Sequence, residues 1–330
     1  MTDNTVLQVK NLHTTLNFST QSVSVVDDVS FSVEAGETLG IVGESGSGKS
    51  MTALSIMQVL PSPIGRIEGG EVWLNGENLV GKTAKEMTAI RGNEIGMILQ
   101  DPHTSLNPVY TVGNQVIEAL RITDPSAPRS SLLTRAIDAL KKVNVADAER
   151  RISAYPHQMS GGMKQRIVGA IAIAGAPKVI IADEPTTALD VTIQLQYLNL
   201  LQEIQKETGM AIVFITHDLG IVANLCHKLV VMYGGKIVES GTVKDVFEAP
   251  SHPYTEALLN SVPSVDKKVD RLYAIEGQPP SLFAEKTGCS FAPRCPHADD
   301  ICKTQAPPET QGLSGAESHL ARCWKVERTT

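Results

Sequence analysis

GESGSGKS, Gly43 to Ser50, is the stretch from which the rest of the chain is read. It fits the phosphate-loop pattern G-x-x-x-x-G-K-[ST]. The run before it, Thr38 to Val42, is short and apolar and predicts a buried strand. After it Ala53, Leu54, Met57 and Leu60 recur at helical spacing until Pro61. The loop therefore joins a strand to a helix N-terminus, the context in which the pattern works. A triphosphate brings several negative charges. Three glycines let backbone N–H groups close around them without Cβ clashes, and the helix start adds unpaired donors and partial positive charge. Lys49 supplies a full charge toward the β- and γ-phosphates, and the Ser50 hydroxyl is placed to ligate Mg²⁺. The expected ATP-binding stretch is Gly43, Glu44, Ser45, Gly46, Ser47, Gly48, Lys49, Ser50 and Met51. The bland alternative is a glycine-rich turn that binds nothing.

The chain has 330 residues, 42% of them apolar, enough for one large domain or a large one plus a small one. Its formal net charge is −7, and no Lys/Arg cluster is long enough for a nucleic-acid face, so no nucleic-acid partner is expected. Met1 to Gln8 is polar and does not resemble a signal peptide. The most apolar region, Ile167 to Ala182, is broken by Gly175, Pro177 and Lys178 and is too short to span a bilayer. These features predict a soluble cytoplasmic chain that meets a membrane only through a partner. Four of the five cysteines lie between Cys289 and Cys323. A reducing compartment makes a metal the first expectation for them and disulfides the second.

Taken in order, residues 5 to 37 alternate apolar and polar and predict antiparallel strands. Phe18 in this region is open to two uses, packing or stacking on adenine. Ile67 to Leu79 predicts a hairpin turning at Asn75-Gly76. Ile95 to Pro102 predicts a strand ending at Gln100, whose amide would touch Mg²⁺ or its water. Asp101 to about Pro177 predicts a helical insertion, with Leu133, Ala136, Ile137, Leu140 and Val143 on one face. Inside it Ser160 is a candidate N-cap, and Gly161 and Gly162 leave backbone amides bare at a helix start, a second anion cradle. Lys178 to Pro185 predicts a buried strand ending in two carboxylates. Asp183 is placed to hold Mg²⁺ through water, and Glu184 to polarise an attacking water. Thr186 to Asp190 leads into a helix closed by Gly209. Ala211 to Asp218 is a further strand reaching His217, a candidate γ-phosphate sensor, although a lone histidine is more often structural. Lys228 to Gly241 predicts a hairpin turning at Gly234-Gly235. Alternating strands and helices give an α/β fold with a mostly parallel sheet and ligands at the strands' C-terminal ends.

The set Gly43–Ser50, Gln100, Ser160-Gly161-Gly162, Asp183-Glu184, Asp190 and His217, in this order, resembles the nucleotide-binding subunit of an ABC transporter over residues 5 to 250. The resemblance implies an ABC-type nucleotide-binding domain, with a P-loop sheet core, an antiparallel β subdomain and a helical subdomain at about 101–177. It makes Gln100 the Q-loop residue, Ser160 to Gly162 the signature, Asp190 the D-loop residue and His217 the switch histidine. Two cassettes would pair head to tail, the signature of one closing over the ATP of the other. The signature here reads MSGGM, with Met159 and Met163 where Leu and Gln are commoner. Leu16 stands near the family's usual early aromatic, with Phe18 two residues on. Ser251 to Pro263, Gly288 to Cys302 and QDPHTSLNP, Gln100 to Pro108, are similar to a narrower branch, the oligopeptide and dipeptide importer ATPases. That branch implies a cassette over 1–250 and a small cysteine-rich extension over 251–330. It also implies two transmembrane permease subunits, an extracytoplasmic peptide-binding protein and a second, non-identical ATPase subunit at the cytoplasmic face of the membrane.

Cys289, Cys295, Cys302 and Cys323 would serve either a Cys₄ Zn²⁺ site or a [4Fe–4S] cluster. No pair is as close as zinc sites favour, and the branch implies [4Fe–4S]. Cys226 stands apart and predicts a small buried hydrophobe. The function so implied is ATP hydrolysis driving import of di- or oligopeptides. The alternatives are an importer ATPase for nickel or sugar, or a soluble ABC ATPase with no membrane partner. DNA-repair members of the soluble kind carry a long coiled coil that this chain lacks.

Overall fold

The computed structural model describes residues 4–262, 273–284 and 287–327. Its strands are β1 (Thr5–Asn17), β2 (Ser22–Glu34), β3 (Thr38–Val42), β4 (Gly65–Leu74), β5 (Glu77–Asn78), β6 (Ile95–Ile98), β7 (Val179–Asp183), β8 (Ala211–Ile215), β9 (Lys228–Tyr233), β10 (Lys236–Thr242), β11 (Thr310–Gln311) and β12 (Leu320–Ala321). β1 and β2 are two long strands of 13 residues each. They are neighbours in a sheet of order β2-β1-β4-β5. Asn75 (φ 49°) and Gly76 (φ 83°) make the expected turn between β4 and β5. The described residues form two compact units. One gathers 4–7, 32–38 and 73–215, the other 8–31, 39–72 and 216–327.

In the first unit β6, β7 and β8 pair in parallel, Ile95 beside Val179 and Val179 beside Ala211. Every residue of β7 and β8 is buried, so both faces are covered, which is why these strands read as continuous apolar runs. Helices Pro102–Ser105, Val112–Thr123, Arg129–Lys142, Ala148–Arg151 and Gly161–Ile173 fill the stretch predicted to be helical. Of the predicted inward face, Ala136, Leu140 and Val143 are buried and Ile137 partly so, but Leu132 stands inside in place of Leu133. Leu132, Ala136 and Leu140 are buried at strict four-residue steps while Leu133 is exposed. Helix Gly161–Ile173 crosses β6 so closely that a Cβ on Gly96 would lie 2.4 Å from the Ala172 carbonyl oxygen. Helix Val191–Thr208 ends at Gly209 in the left-handed conformation (φ 69°), as the sequence predicts.

In the second unit β3 pairs in parallel with β9, Val42 beside Val231. β9 and β10 form the expected hairpin, turning at Gly234 (φ 57°) and Gly235 (φ 89°). β12 adds to β10 and β11 to β12, giving the order β11-β12-β10-β9-β3. Val42, Tyr233, Tyr254 and Phe291 meet in one apolar core. Helix Lys49–Met57 stops earlier than Pro61. Gln58 adopts the left-handed conformation (φ 50°) and turns its N–H back onto the Leu54 and Ser55 carbonyls, so the chain leaves the helix before the proline is reached.

Candidate active site

β3 is buried along its whole length and delivers the loop that follows it. Gly43, Gly46 and Gly48 take φ of 153°, 80° and 103°. A Cβ on Gly43 would lie 2.2 Å from the Met232 carbonyl oxygen, and one on Gly48 would lie 2.6 Å from that of Val25. Both positions therefore demand glycine for space as well as conformation. Lys49 is buried, and its Nζ donates to the carbonyls of Gly43 at 2.7 Å and Glu44 at 3.0 Å. The loop is thus closed around its own cation. Helix Lys49–Met57 has no acidic residue in its first turn, so its own sequence does not cancel the positive end of its dipole. Ser47 Oγ is buried with no hydrogen-bond partner. A cradle filled by any Cβ, an unpaired buried hydroxyl and a buried ammonium together fit a phosphate group. Glu44 N–H donates to the Tyr254 hydroxyl at 2.8 Å, and the Glu44 carboxylate takes a two-bond fork from Arg294 at 2.6 and 3.0 Å. His217 belongs to this unit and is exposed just past β8. Phe18 packs on Phe283, ring centroids 5.6 Å apart.

The first unit holds Gln100, Ser160, Gly161, Gly162, Asp183, Glu184 and Asp190. β7 carries Asp183 into a buried position at its C-terminal end. Glu184 follows at φ 44°, a conformation uncommon for a side chain with a Cβ, its N–H donating to the Ile215 carbonyl at 2.9 Å. Glu184 Oε2 accepts from Gln100 Nε2 at 3.0 Å and from Thr187 Oγ1 at 3.0 Å. Gln100 and Glu184, 84 residues apart, are therefore brought together. Ser160 caps helix Gly161–Ile173, its Oγ accepting from Met163 N–H at 3.3 Å. The two glycines that follow differ in their reasons. A Cβ on Gly162 would lie 2.9 Å from Ile193, whereas one on Gly161 would meet nothing. Only Gly162 is explained by packing; Gly161 leaves bare backbone facing open space. Asp190 caps helix Val191–Thr208 through Ile193 N–H at 3.0 Å. Sequence reasoning missed Arg294 and Tyr254 as neighbours of the loop. The available signal was that Arg294 is the lone Asp, Glu, Lys or Arg between Lys286 and Asp299.

The iron–sulfur expectation is corrected. Cys289, Cys295, Cys302 and Cys323 line one cavity of about 220 Å³. Yet among the described residues no group of three or more His, Cys, Asp or Glu side chains is arranged to hold a metal ion. Burial pushes the Cys289 thiol up to about 11 and raises Cys295 and Cys302 as well. Cys302 Sγ donates to Asp299 Oδ1 at 3.1 Å. Metal ligation needs converging thiolates. The four thiols share a cavity without forming a ligand set, and one is spent on a carboxylate, so the described side chains are not arranged for a [4Fe–4S] cluster or for Zn²⁺. Cys226 is partly buried and not fully so: it packs against the apolar core, its Sγ lies against Gly40, and desolvation pushes its thiol up to about 12.

Comparison with known proteins places these features in company. Residues 26–187 match the model of the ABC transporter family, and residues 238–302 match that of the oligopeptide/dipeptide transporter C-terminal region. A probable peptide ABC transporter ATP-binding protein of Sinorhizobium fredii is 48% identical over 97% of this chain and 95% of its own length. The dipeptide transport ATP-binding protein of Bacillus subtilis is 46% identical over 97% of this chain and 94% of its own, and none of these relatives is named for an iron–sulfur cluster. Among solved structures, the ABC cassette MJ0796, a dimer bound to ADP and Pi, superposes with a TM-score of 0.65 at 27% identity, over 72% of this chain and 98% of that one. cbiO1 from Clostridium perfringens, part of the ABC transporter complex cbiONQ, superposes with a TM-score of 0.63 at 27% identity, over 74% and 92%.

Proposed function

We propose a mechanism from one premise: the chain belongs to the ATP-binding subunits of ABC transporters, in the branch that carries the oligopeptide/dipeptide transporter C-terminal region. It has the ABC ATPase cassette fold and is an ATP-hydrolysing subunit for peptide import. In the reading advanced here Lys49 leaves the carbonyls of Gly43 and Glu44 for the β- and γ-phosphates. Backbone N–H groups between Ser45 and Met51 hold the phosphate oxygens, the Glu44 N–H staying on Tyr254. Ser50, Gln100 and Asp183 would hold Mg²⁺, Asp183 through water. The ion, when bound, neutralises charge on the β- and γ-phosphates. Glu184 polarises the attacking water, with Gln100 holding its carboxylate in place and sensing the γ-phosphate together with His217. Ser160, Gly161 and Gly162 close over the ATP of a second ATPase subunit, paired head to tail and non-identical, with Asp190 beside them.

The observation that carries this reading is the loop closed around Lys49, where only glycine fits at Gly43 and Gly48. The cassette spans residues 1–250, with its helical subdomain at about 101–177, and residues 251–330 form a small extension that carries the four clustered cysteines. Among the described residues no helix is long and apolar enough to cross a membrane. The chain sits peripherally on the cytoplasmic face, carried by two permease subunits and supplied by an extracytoplasmic peptide-binding protein. The test is ATP-driven uptake of labelled di- and tripeptides into vesicles holding the assembled transporter. Lys49→Ala should abolish uptake. Uptake that persists in that variant, or a chain that never copurifies with permeases, sinks the reading.

A further inference from the structure

The phosphate loop is held from outside by the tail. Arg294 lies 250 residues beyond Glu44, and its side chain is 4% exposed. Its Nη1 donates to Glu44 Oε2 at 2.6 Å and to the Tyr233 hydroxyl at 3.2 Å. Its Nη2 donates to Glu44 Oε1 at 3.0 Å and to the Ile275 carbonyl at 3.3 Å. Its Nε donates to the Glu276 carbonyl at 2.9 Å. A guanidinium has five N–H donors in a rigid fork, and here each has an acceptor. The pocket is therefore matched to arginine and not merely to a positive charge. Glu44 is fixed at two further points: its N–H donates to Tyr254, and its carbonyl accepts from Lys49 Nζ at 3.0 Å. One residue, Glu44, separates the tail from the loop's own cation.

We propose that Arg294 is a positioning residue for nucleotide binding: it fixes and neutralises Glu44, and through Glu44 the tail sets how tightly the loop takes ATP. The physical need is electrostatic as well as geometric. A carboxylate in the second position of a triphosphate cradle repels the ligand unless a partner cancels its charge. Arg294 supplies that partner from a side chain only 4% exposed, while the Glu44 carboxylate itself stays a quarter exposed. The loop has little room to adapt without it, since even a Cβ added at Gly43 or Gly48 would collide with neighbouring backbone. Two acceptors of Arg294, the carbonyls of Ile275 and Glu276, lie in the tail itself, so a shift of the tail acts on Glu44 directly. This inference rests on the nucleotide reading of the loop given above.

The experiment uses the full chain, titrated with Mg-ATP by calorimetry, and the assembled transporter for KM and kcat. Arg294→Ala should weaken ATP binding and raise KM roughly ten-fold or more, the scale of a lost charged hydrogen-bond pair. It should leave kcat within about two-fold, since binding and not chemistry is affected. Arg294→Lys keeps the charge, loses the fork and should fall between. Adding Glu44→Gln to Arg294→Ala removes the stranded carboxylate and should restore much of the affinity. A mere structural brace would lower Tm in both and show no such rescue, and that outcome overturns the proposal. So does ATP binding by a folded Arg294→Ala that matches the parent. If Arg294→Ala fails to fold, Arg294→Lys decides: an unchanged Kd overturns the proposal and a raised one supports it. Lys49→Ala separates the two levels. Should it bind ATP like the parent, the nucleotide reading itself fails; should it lose ATP while the Arg294 variants keep it, only this inference fails.

Discussion

Glu184 is held in a conformation that a side chain with a Cβ seldom takes, φ 44°, at the end of a fully buried strand. Its carboxylate is aimed by two donors, Gln100 and Thr187. Strain of this kind persists only where the surroundings enforce it. Glu184→Gln keeps an oxygen for both donors but removes the charge that would polarise water. ATP binding should survive, and steady-state hydrolysis in the assembled complex should fall by about 10²–10⁴-fold. Normal turnover by that variant would remove Glu184 from the mechanism. The need for glycine at Gly43 and Gly48 is legible in the sequence, because a local motif fixes backbone conformation within eight residues. Arg294 was not legible. Nothing local says which of many charges a lone arginine will meet 250 residues away. The cysteines misled for a related reason. Their spacing suggested a metal, but spacing does not reveal whether the side chains form a ligand set, or that Asp299 accepts from one of them.

At the level of elements, periodicity gave the helical stretch between β6 and β7 and the hairpin of β9 and β10. It missed ends and faces by a residue or a few. Helix Lys49–Met57 ends at a left-handed glutamine, a choice set by the chain's onward path and not by propensity. Leu132 and not Leu133 faces inward because the neighbouring helices decide which four-residue row is covered. Close element packing also explains a glycine that no motif singled out. Gly96 lets β6 and helix Gly161–Ile173 approach, and a methyl group there would collide with the Ala172 carbonyl at 2.4 Å. That obstacle is backbone and cannot swing away. Gly96→Ala should therefore destabilise the chain by about 1–3 kcal/mol, read as a lower denaturation midpoint at an unchanged m-value. A midpoint equal to the parent's would mean that strand and helix have slack.

At the scale of the whole molecule, one buried carboxylate on β10 ties the tail to the body of the second unit, of which the tail is part. Glu239 accepts from the N–H groups of Ser251 at 2.7 Å and His252 at 2.8 Å, and pairs with His319 Nε2 at 2.8 Å. Beside it His252 is buried, and desolvation lowers its pKa from 6.5 to about 4, against the pull of Glu239. Its Nδ1 accepts from Tyr254 N–H at 3.0 Å, which only the neutral ring does. Between pH 6.5 and about 4 the unfolded chain carries a proton here that the native chain refuses. Native stability from this group is thus complete above pH 6.5 and is lost as the pH falls toward 4, by about 1.4 kcal/mol per unit. His252→Asn keeps a cap and removes the titration, so its thermal midpoint should depend less on pH over that window. Parallel slopes for parent and variant would refute the assignment.

The pairing of β12 with β10, Glu239 beside Ala321 and Ser240 beside Leu320, has a further consequence for solubility. Without that pairing β10 would be an edge strand, a row of unsatisfied N–H and C=O groups able to recruit another chain. The tail covers the edge and leaves only the two-residue β11 as the outermost strand, too short to template anything. A chain ending at Pro308 should therefore associate through bared strands, with light scattering that grows with concentration even where each cassette stays folded. A monodisperse, monomeric truncation would show that β10 guards itself.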